Sequence, residues 1–548
     1  MTPPAAPPGL VLPGREDPVV AGAVSALGGP PGRHARLGER RLGTPVRWLV
    51  VLTLLTSVLG FWQKAPCRVH AWEDQYQYTR ACYTDVYALY FAEGLGPAEV
   101  GVDPPDRRPY LEHPVEYPVL IGGAMAVAAE VVHVFAPDQR PRRFFDVTWA
   151  LLTACALVTV LTTARLAGRR RIWDAAMVAV APGLLLHATT NWDLVAIAFA
   201  GMGLVRWARR DPVGAGVLLG LGTATKLYPV LFLVPLLALC LRAGRLREGL
   251  RTALVLVLTA AAVTVPVYLA SPSFAEVDGA QVRVAASPLA RLGDEGPRAL
   301  LPHVRVPLES LPADRQEAAT PPAGCDPRVQ GTNAVYRFVQ LNSQRPADWD
   351  SLWYALSRAT GPLDETSACP GEGAPTRLNA AVAVLTLLLL GGIVALALRA
   401  PRRPRLMPLV FLTVLAFLLP NKVFSPQYVL WLVPLAVLAR PRWGPFLAWQ
   451  ATEVAVLLTR FWFFIGNDVP GKGTGYGPFL TAVLLRDAAL VVLAALVVRD
   501  VLSPGRDVVR AGTGDGDGTG AVDDPAGGVL DGARDRAPAR TAAPVPAA

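Results

Sequence analysis

The chain reads as an all-α polytopic membrane protein, with about twelve transmembrane helices plus membrane-surface helices in its first outer loop. Three observations predict this. Apolar residues make up 52% of the 548, and mean hydropathy is +0.36. Several apolar runs are longer than a soluble core requires. The arginines gather in short links between those runs, which is the membrane orientation signal. The net charge of +9 is therefore no nucleic-acid footprint, and no nucleic-acid partner is expected.

Residues 1–45 are rich in Pro, Gly and Arg and lack an apolar core. They read as a disordered cytoplasmic tail with no cleavable signal peptide. Apolar segments follow at 46–62, 118–136, 145–165, 172–187, 192–207, 213–225, 228–241, 252–270, 378–398, 406–419, 427–439, 443–464 and 477–498. Arg-rich links at 33–47, 165–171, 206–210, 242–251, 399–405 and 440–442 belong in the cytoplasm. The intervening links at 188–192, 226–229, 271–377, 420–426 and 465–476 then lie outside. This alternation holds only if 118–136 does not cross but rests against or dips into the outer leaflet. Twelve spans remain, with both termini cytoplasmic, at the cost of placing Arg140, Arg142 and Arg143 outside. The organisation is an N-terminal module 46–270 with a first outer loop 63–117, a long outer loop 271–377, C-terminal helices 378–500, and a disordered tail 501–548. Segments 213–225 and 228–241 are short. They meet at TATKLYP, where Pro229 breaks the helix.

Six cysteines divide by place. Cys155 and Cys240 sit in apolar segments as packing residues. Cys67 and Cys82 share the first outer loop, and Cys325 and Cys369 share the long one. Both pairs are disulfide candidates in an oxidising compartment. No cysteine or histidine spacing suits a metal, and no cofactor is expected. Lysine is scarce: Lys64, Lys226, Lys422 and Lys472 all fall on the outer side. Lys226 in ATKLYP and Lys422 in PNKVFSPQY stand at helix ends among aromatics and prolines. There a lysine either meets a lipid-linked phosphate as a compact charge or snorkels to the interface.

Asp85 lies in a segment with Tyr83, Tyr87, Tyr90 and Phe91, which fall largely along one side. Such a helix rests on the membrane with aromatics at headgroup depth. Asp85 is either a helix N-cap or a general base facing a cavity. Glu116 is either a second site carboxylate or a surface residue before an apolar run. Asp193, after Asn191 and Trp192, either starts a helix or binds a substrate hydroxyl. Glu453 and Arg460 lie seven apart within one apolar segment, where charges face a cavity or each other.

The order of these features resembles the GT-C superfamily of polytopic glycosyltransferases. Within it, the chain resembles glycosyltransferase family 87, which includes mannosyltransferases that use polyprenyl-phosphate sugars. The residues that carry the resemblance are Asp85, Tyr87, Ala92, Gly94, Pro109-Tyr110 and Tyr117-Pro118, with Val119 where the family has a second Pro. Further along come NWDLVAIA at 191–198, GVLLGLGTATKLYPVLF at 216–232 and NKVFSPQYVLWLVP at 421–434. The similarity covers about residues 46–500.

The resemblance implies a GT-C fold in a bacterial plasma membrane, with the active site on the extracytoplasmic side. A hexose, mannose by the family pattern, would pass from a polyprenyl-phosphate donor to a glycolipid or glycan acceptor by inverting transfer. Asp85 would be the base. Lys226, Lys422, Gln427 and Tyr428 would meet the donor phosphate. Glu116, Tyr117, Asn191 and Asp193 would bind substrate hydroxyls. Loop 271–377 would cover the cavity and select the acceptor. The alternative is a lipid or small-molecule transporter or flippase. Transporters are often built from repeated halves with interrupted helices at midplane, whereas here the acids stand in surface loops and no repeat is visible.

Overall fold

The computed structural model describes residues 44–70, 72–96, 108–320, 322, 324–364, 373–469, 471–511 and 524–536. Its helices of eight or more residues, in order, are α1 (Thr44–His70), α2 (Asp85–Ala92), α3 (Val119–Val132), α4 (Arg140–Ala167), α5 (Asp193–Ala208), α6 (Pro212–Thr225), α7 (Leu233–Arg242) and α8 (Leu246–Ala270). An outer region follows, then α12 (Thr376–Arg399), α13 (Leu406–Leu418), α14 (Val429–Ala439), α15 (Trp443–Asp468) and α16 (Tyr476–Leu502); α9 to α11 belong to the outer region. Five of these elements are long and apolar enough to cross a bilayer: Pro45–His70, Pro137–Ala167, Leu246–Ala270, Thr376–Arg399 and Tyr476–Leu502.

The core is a helix bundle. Helix α6 packs between α5 and α8, and glycine permits the close approach. A Cβ on Gly220 would stand 2.7 Å from the carbonyl oxygen of Leu256 in α8. Side chains from α13 and α14 are buried almost throughout, so these short apolar helices form the centre of the bundle rather than its lipid face.

The expected span 172–187 is not a continuous helix. It is a 3-10 turn, Arg169–Ala175, followed by two short helices, Ala176–Ala179 and Pro182–His187. Pro182 has no N–H to continue a helix and holds Ala181 extended at φ −62°, ψ 128°.

One end of the bundle collects the arginines. Arg171 donates to the Val508 carbonyl, Arg242 pairs with Asp535 at 2.7 Å, and Arg405 pairs with Asp507 at 2.7 Å. The expectation of an unstructured tail from 501 onward therefore fails for residues 501–511 and 524–536. Asp524 also accepts the Leu406 N–H at 2.8 Å. Buried arginines at the helix ends supply partners that composition alone does not reveal. Of the expected N-terminal tail 1–45, residues 1–43 lie outside the described residues, and Thr44 and Pro45 begin α1.

The opposite end holds the outer loops. Arg68, near the end of α1, meets Asp146, near the start of α4, at 2.5 Å. Phe144 of α4 packs on Tyr90 and Trp192, and Tyr117 packs on Trp192 too. The segment carrying α3 thus begins and finishes at this same end. A reporter fused at Gly168, at the arginine end, should read as cytoplasmic; an extracytoplasmic signal would refute this orientation.

Loop 271–377 is not all-helical. It holds β1 (Ser273–Val277), β2 (Ala280–Ala285), β3 (His303–Val306) and β4 (Val329–Asn333), in the antiparallel order β2-β1-β4-β3. Phe274 faces both Arg283 and Thr332. Helices α9 (Pro288–Glu295), α10 (Arg337–Gln344) and α11 (Leu352–Thr360) complete it. The segment after α10 reaches back over the bundle and brings residues 345–349 to the site.

Candidate active site

Cys67 and Cys82 form a disulfide, which ties the exit of α1 to the residues just before α2. Cys325 is also disulfide-bonded, while Cys369 lies outside the described residues. The Thr84 hydroxyl caps α2 by accepting the Val86 N–H at 3.2 Å and donates to the Thr189 carbonyl at 2.6 Å. The Asp85 N–H donates to the Thr190 carbonyl at 2.8 Å. Thr84 therefore fills the capping role, and the Asp85 carboxylate is left for other partners.

Those partners are two donors. Tyr83 OH donates to Asp85 Oδ1 at 2.6 Å, and Asn191 Nδ2 donates to Oδ2 at 2.9 Å. Asn191 also donates to Tyr117 OH at 2.7 Å. Burial pushes the Asp85 carboxyl above the usual range, opposed by the Tyr83 and Asn191 hydrogen bonds and by the Lys226 charge.

Asp85 lines a cavity of about 470 Å³ together with Glu116, Tyr117, Asn191, Lys226, Gln427 and Tyr428. These residues come from the first outer loop, the α5 and α6 junctions and the turn before α14. Lys226 follows α6 in extended backbone. Its ammonium lies 3.4 Å from Asp193 Oδ2 and above the rings of Tyr117 and Tyr428, at 5.2 and 5.9 Å from their centroids. Trp431 Nε1 fixes the other Asp193 oxygen at 2.7 Å, and Trp431 stacks between Tyr228 and Tyr428. Asp193 is fully buried and does not line the cavity. It is a positioning residue for Lys226, which corrects its expected contact with substrate hydroxyls. Burial, and then the Asp85 charge, push the Glu116 carboxyl up.

Lys422 does not reach this cavity. Its ammonium donates to Asn379 Oδ1 at 2.6 Å and the Ser343 carbonyl at 3.1 Å, and its backbone carbonyl accepts the Asp348 N–H at 2.7 Å. The lysine anchors the strap 343–348 instead of meeting a phosphate. The aromatics of α2 also depart from expectation. Tyr90 is buried on Phe144 and Tyr83 stacks on Trp72, so they face protein and cavity rather than headgroups.

Arg460, His187 and Arg345 are among the further charged or titratable groups that line the cavity. Arg460 faces the cavity and pairs with Asp350 at 2.7 Å, whereas Glu453 takes the Trp449 N–H at 2.8 Å. The seven-residue spacing does not join them. His187 is buried at the cavity wall with Nδ1 unpartnered among the described residues. Arg345, on the strap, also lines the cavity. The first carried a signal, as a charge inside an apolar run; Arg345 carried none, since its loop lacks a motif.

The acid limb of any reaction using Asp85 follows from its environment. A base works ionised, so a raised carboxyl loses function on acidification at higher pH than an ordinary carboxylate. Tyr83→Phe removes a donor that favours the charged form. It should move the acid limb of the pH–rate profile further up; an unmoved limb would show that Asp85 does not set it.

The motif resemblance has an independent counterpart. Residues 110–280 match the model of glycosyltransferase family 87. The similarity to that family covers this segment, less than half of the chain. The matched segment contains Glu116, Tyr117, Asn191, Asp193 and Lys226, and Asp85 precedes it. Beside this match stand the five helices long and apolar enough to cross a membrane. The chain is also similar to two structures of the Archaeoglobus fulgidus oligosaccharyltransferase. One is the apo form, at 13% identity and TM-score 0.35. The other is AglB with an inhibitory peptide and a dolichol-phosphate, at 12% identity and TM-score 0.34. Each alignment covers 83% of this chain and 56% of the other, so this chain spans little more than half their length. No curated protein matches the sequence.

Proposed function

We propose that the protein transfers a hexose, mannose by family resemblance, from a polyprenyl-phosphate donor to a glycolipid or glycan at the outer face of a bacterial plasma membrane. The observation that carries this reading is the Asp85 carboxylate, oriented by Tyr83 and Asn191 in a cavity it shares with the Lys226 ammonium. A base and a cation in one cavity match the two charges of glycosyl transfer. Asp85 takes the proton of the acceptor hydroxyl. The hydroxyl oxygen bonds to the anomeric carbon from the face opposite the phosphate. The bond from that carbon to the phosphate oxygen breaks, and polyprenyl phosphate leaves with the electron pair.

The phosphate gains charge as it leaves. Lys226 is placed to balance it, with Gln427, Tyr428 and Arg345 lining the same cavity. Aromatic faces around the lysine keep water away and strengthen the interaction. Purified protein in proteoliposomes, given a radiolabelled polyprenyl-phosphate hexose and a bacterial lipid extract, should form labelled glycolipid. Movement of intact donor across the bilayer without a new glycoside would favour transport instead.

A further inference from the structure

A second cavity of about 650 Å³ lies beside the first, between the first outer loop and the β1–β2 hairpin of the outer region. The two share Glu116 and Leu341 in their walls. We infer that this outer cavity is a saccharide subsite, holding the sugar of the acceptor so that its free hydroxyl passes Glu116 to Asp85. The assignment rests on the transferase reading for the word acceptor; the saccharide site itself does not.

The chemistry of the walls selects the ligand class. On one side stand Glu93 and Glu116. Glu93 is 4% exposed, and its Oε1 accepts the Glu116 N–H at 3.3 Å. Its other oxygen has no hydrogen bond among the described residues. Facing them are Arg283 on β2, Arg315, and Arg337 on α10. Asp314 also lines the cavity and pairs with Arg315 at 3.4 Å, and Arg337 pairs with Glu276, which leaves Arg283 against Glu116 and no excess of either sign to select an ion. A lipid tail would strand buried polar groups, which is costly. A neutral polyol satisfies both walls, because each hydroxyl both donates and accepts.

Glu93 adds a detail. Burial, and then the neighbouring Glu116 charge, push its carboxyl up to about 8. Near neutral pH it is largely protonated and offers an O–H, which suits a sugar oxygen and further disfavours a cation. The hairpin wall comes from the outer region, so the part of the chain without a family motif shapes the subsite. Glu116 and Asp85 line the first cavity together, and the Asp85 charge helps push the Glu116 carboxyl up, which places the shared wall next to the base.

The test uses the full chain in nanodiscs and two variants at exposed lining positions, Ala92→Trp to fill the cavity and Arg283→Ala to remove a donor. Saturation-transfer NMR with a panel of hexose disaccharides, mannobiose first, reads binding directly. Transfer assays read half-saturation for donor and for acceptor extract separately. Hydrogen bonds to charged groups are worth about tenfold or more in affinity. Both variants should therefore weaken disaccharide binding and raise acceptor half-saturation by about tenfold or more, with donor half-saturation unchanged. Unchanged disaccharide binding and acceptor half-saturation would overturn the subsite. So would equal shifts for donor and acceptor, or no disaccharide binding by the wild-type protein. Disaccharide binding that Ala92→Trp abolishes, in a protein that transfers no sugar, would keep the saccharide site and reject the transferase reading.

Discussion

Asp85→Asn should lower hexose transfer by about 10²–10⁴-fold, the usual contribution of a positioned base, while the protein folds and inserts as before. Asparagine keeps the size of the side chain. It still accepts the Tyr83 O–H through its carbonyl oxygen, and only the Asn191 contact must rearrange. The helix start is unaffected, because Thr84 supplies the cap and the Asp85 N–H bonds to Thr190 whatever the side chain. What disappears is the capacity to take a proton from a weakly nucleophilic sugar hydroxyl. Turnover of a polyprenyl-phosphate hexose at matched expression checks this. Wild-type turnover by Asp85→Asn would end the general-base assignment and turn attention to Glu116.

Lys226→Met should cost about 10²–10³-fold in kcat, the scale seen when a preorganised group that stabilises developing charge is removed. In the proposed reaction the donor is a phosphodiester with one negative charge, and the leaving polyprenyl phosphate carries more. The cation is therefore worth more in the transition state than in the bound donor, so the loss falls on kcat rather than only on KM. One confounding effect must be separated. Asp193 is fully buried, and without Lys226 only the Trp431 N–H holds it. A stranded buried charge is destabilising. The double variant Lys226→Met with Asp193→Asn removes that charge. It should recover thermal stability without recovering turnover. Recovery of both would show that Lys226 serves the fold and not the phosphate.

Residues with chemistry at helix ends were legible in the sequence because the membrane makes charge there costly. Asp85, Asn191 and Lys226 stand far apart in the chain, yet each interrupts an apolar pattern on the outer side, and the fold gathers them. The same reasoning failed at Lys422, since the strap 343–348 supplies alternative partners that no local pattern encodes. The sheet of the outer region was missed for a related reason. Its strands are four to six residues long and are fixed by pairing across a wide sequence separation, as between β1 and β4. Segment 172–187 is apolar enough for a span, but a run of that length does not reveal that Pro182 breaks it. The docked tail escaped notice because Asp524 and Asp535 find arginines contributed by distant links. Composition predicts disorder only for a segment that finds no partner.

The anomeric configuration of the product tests the central claim most directly. The product made from a donor of known configuration, isolated from proteoliposomes and read by NMR, should carry the inverted linkage, because a single displacement assisted by one base at Asp85 delivers the acceptor oxygen from the face opposite the phosphate. A product that retains the donor configuration would require a covalent or double-displacement route and would contradict the account.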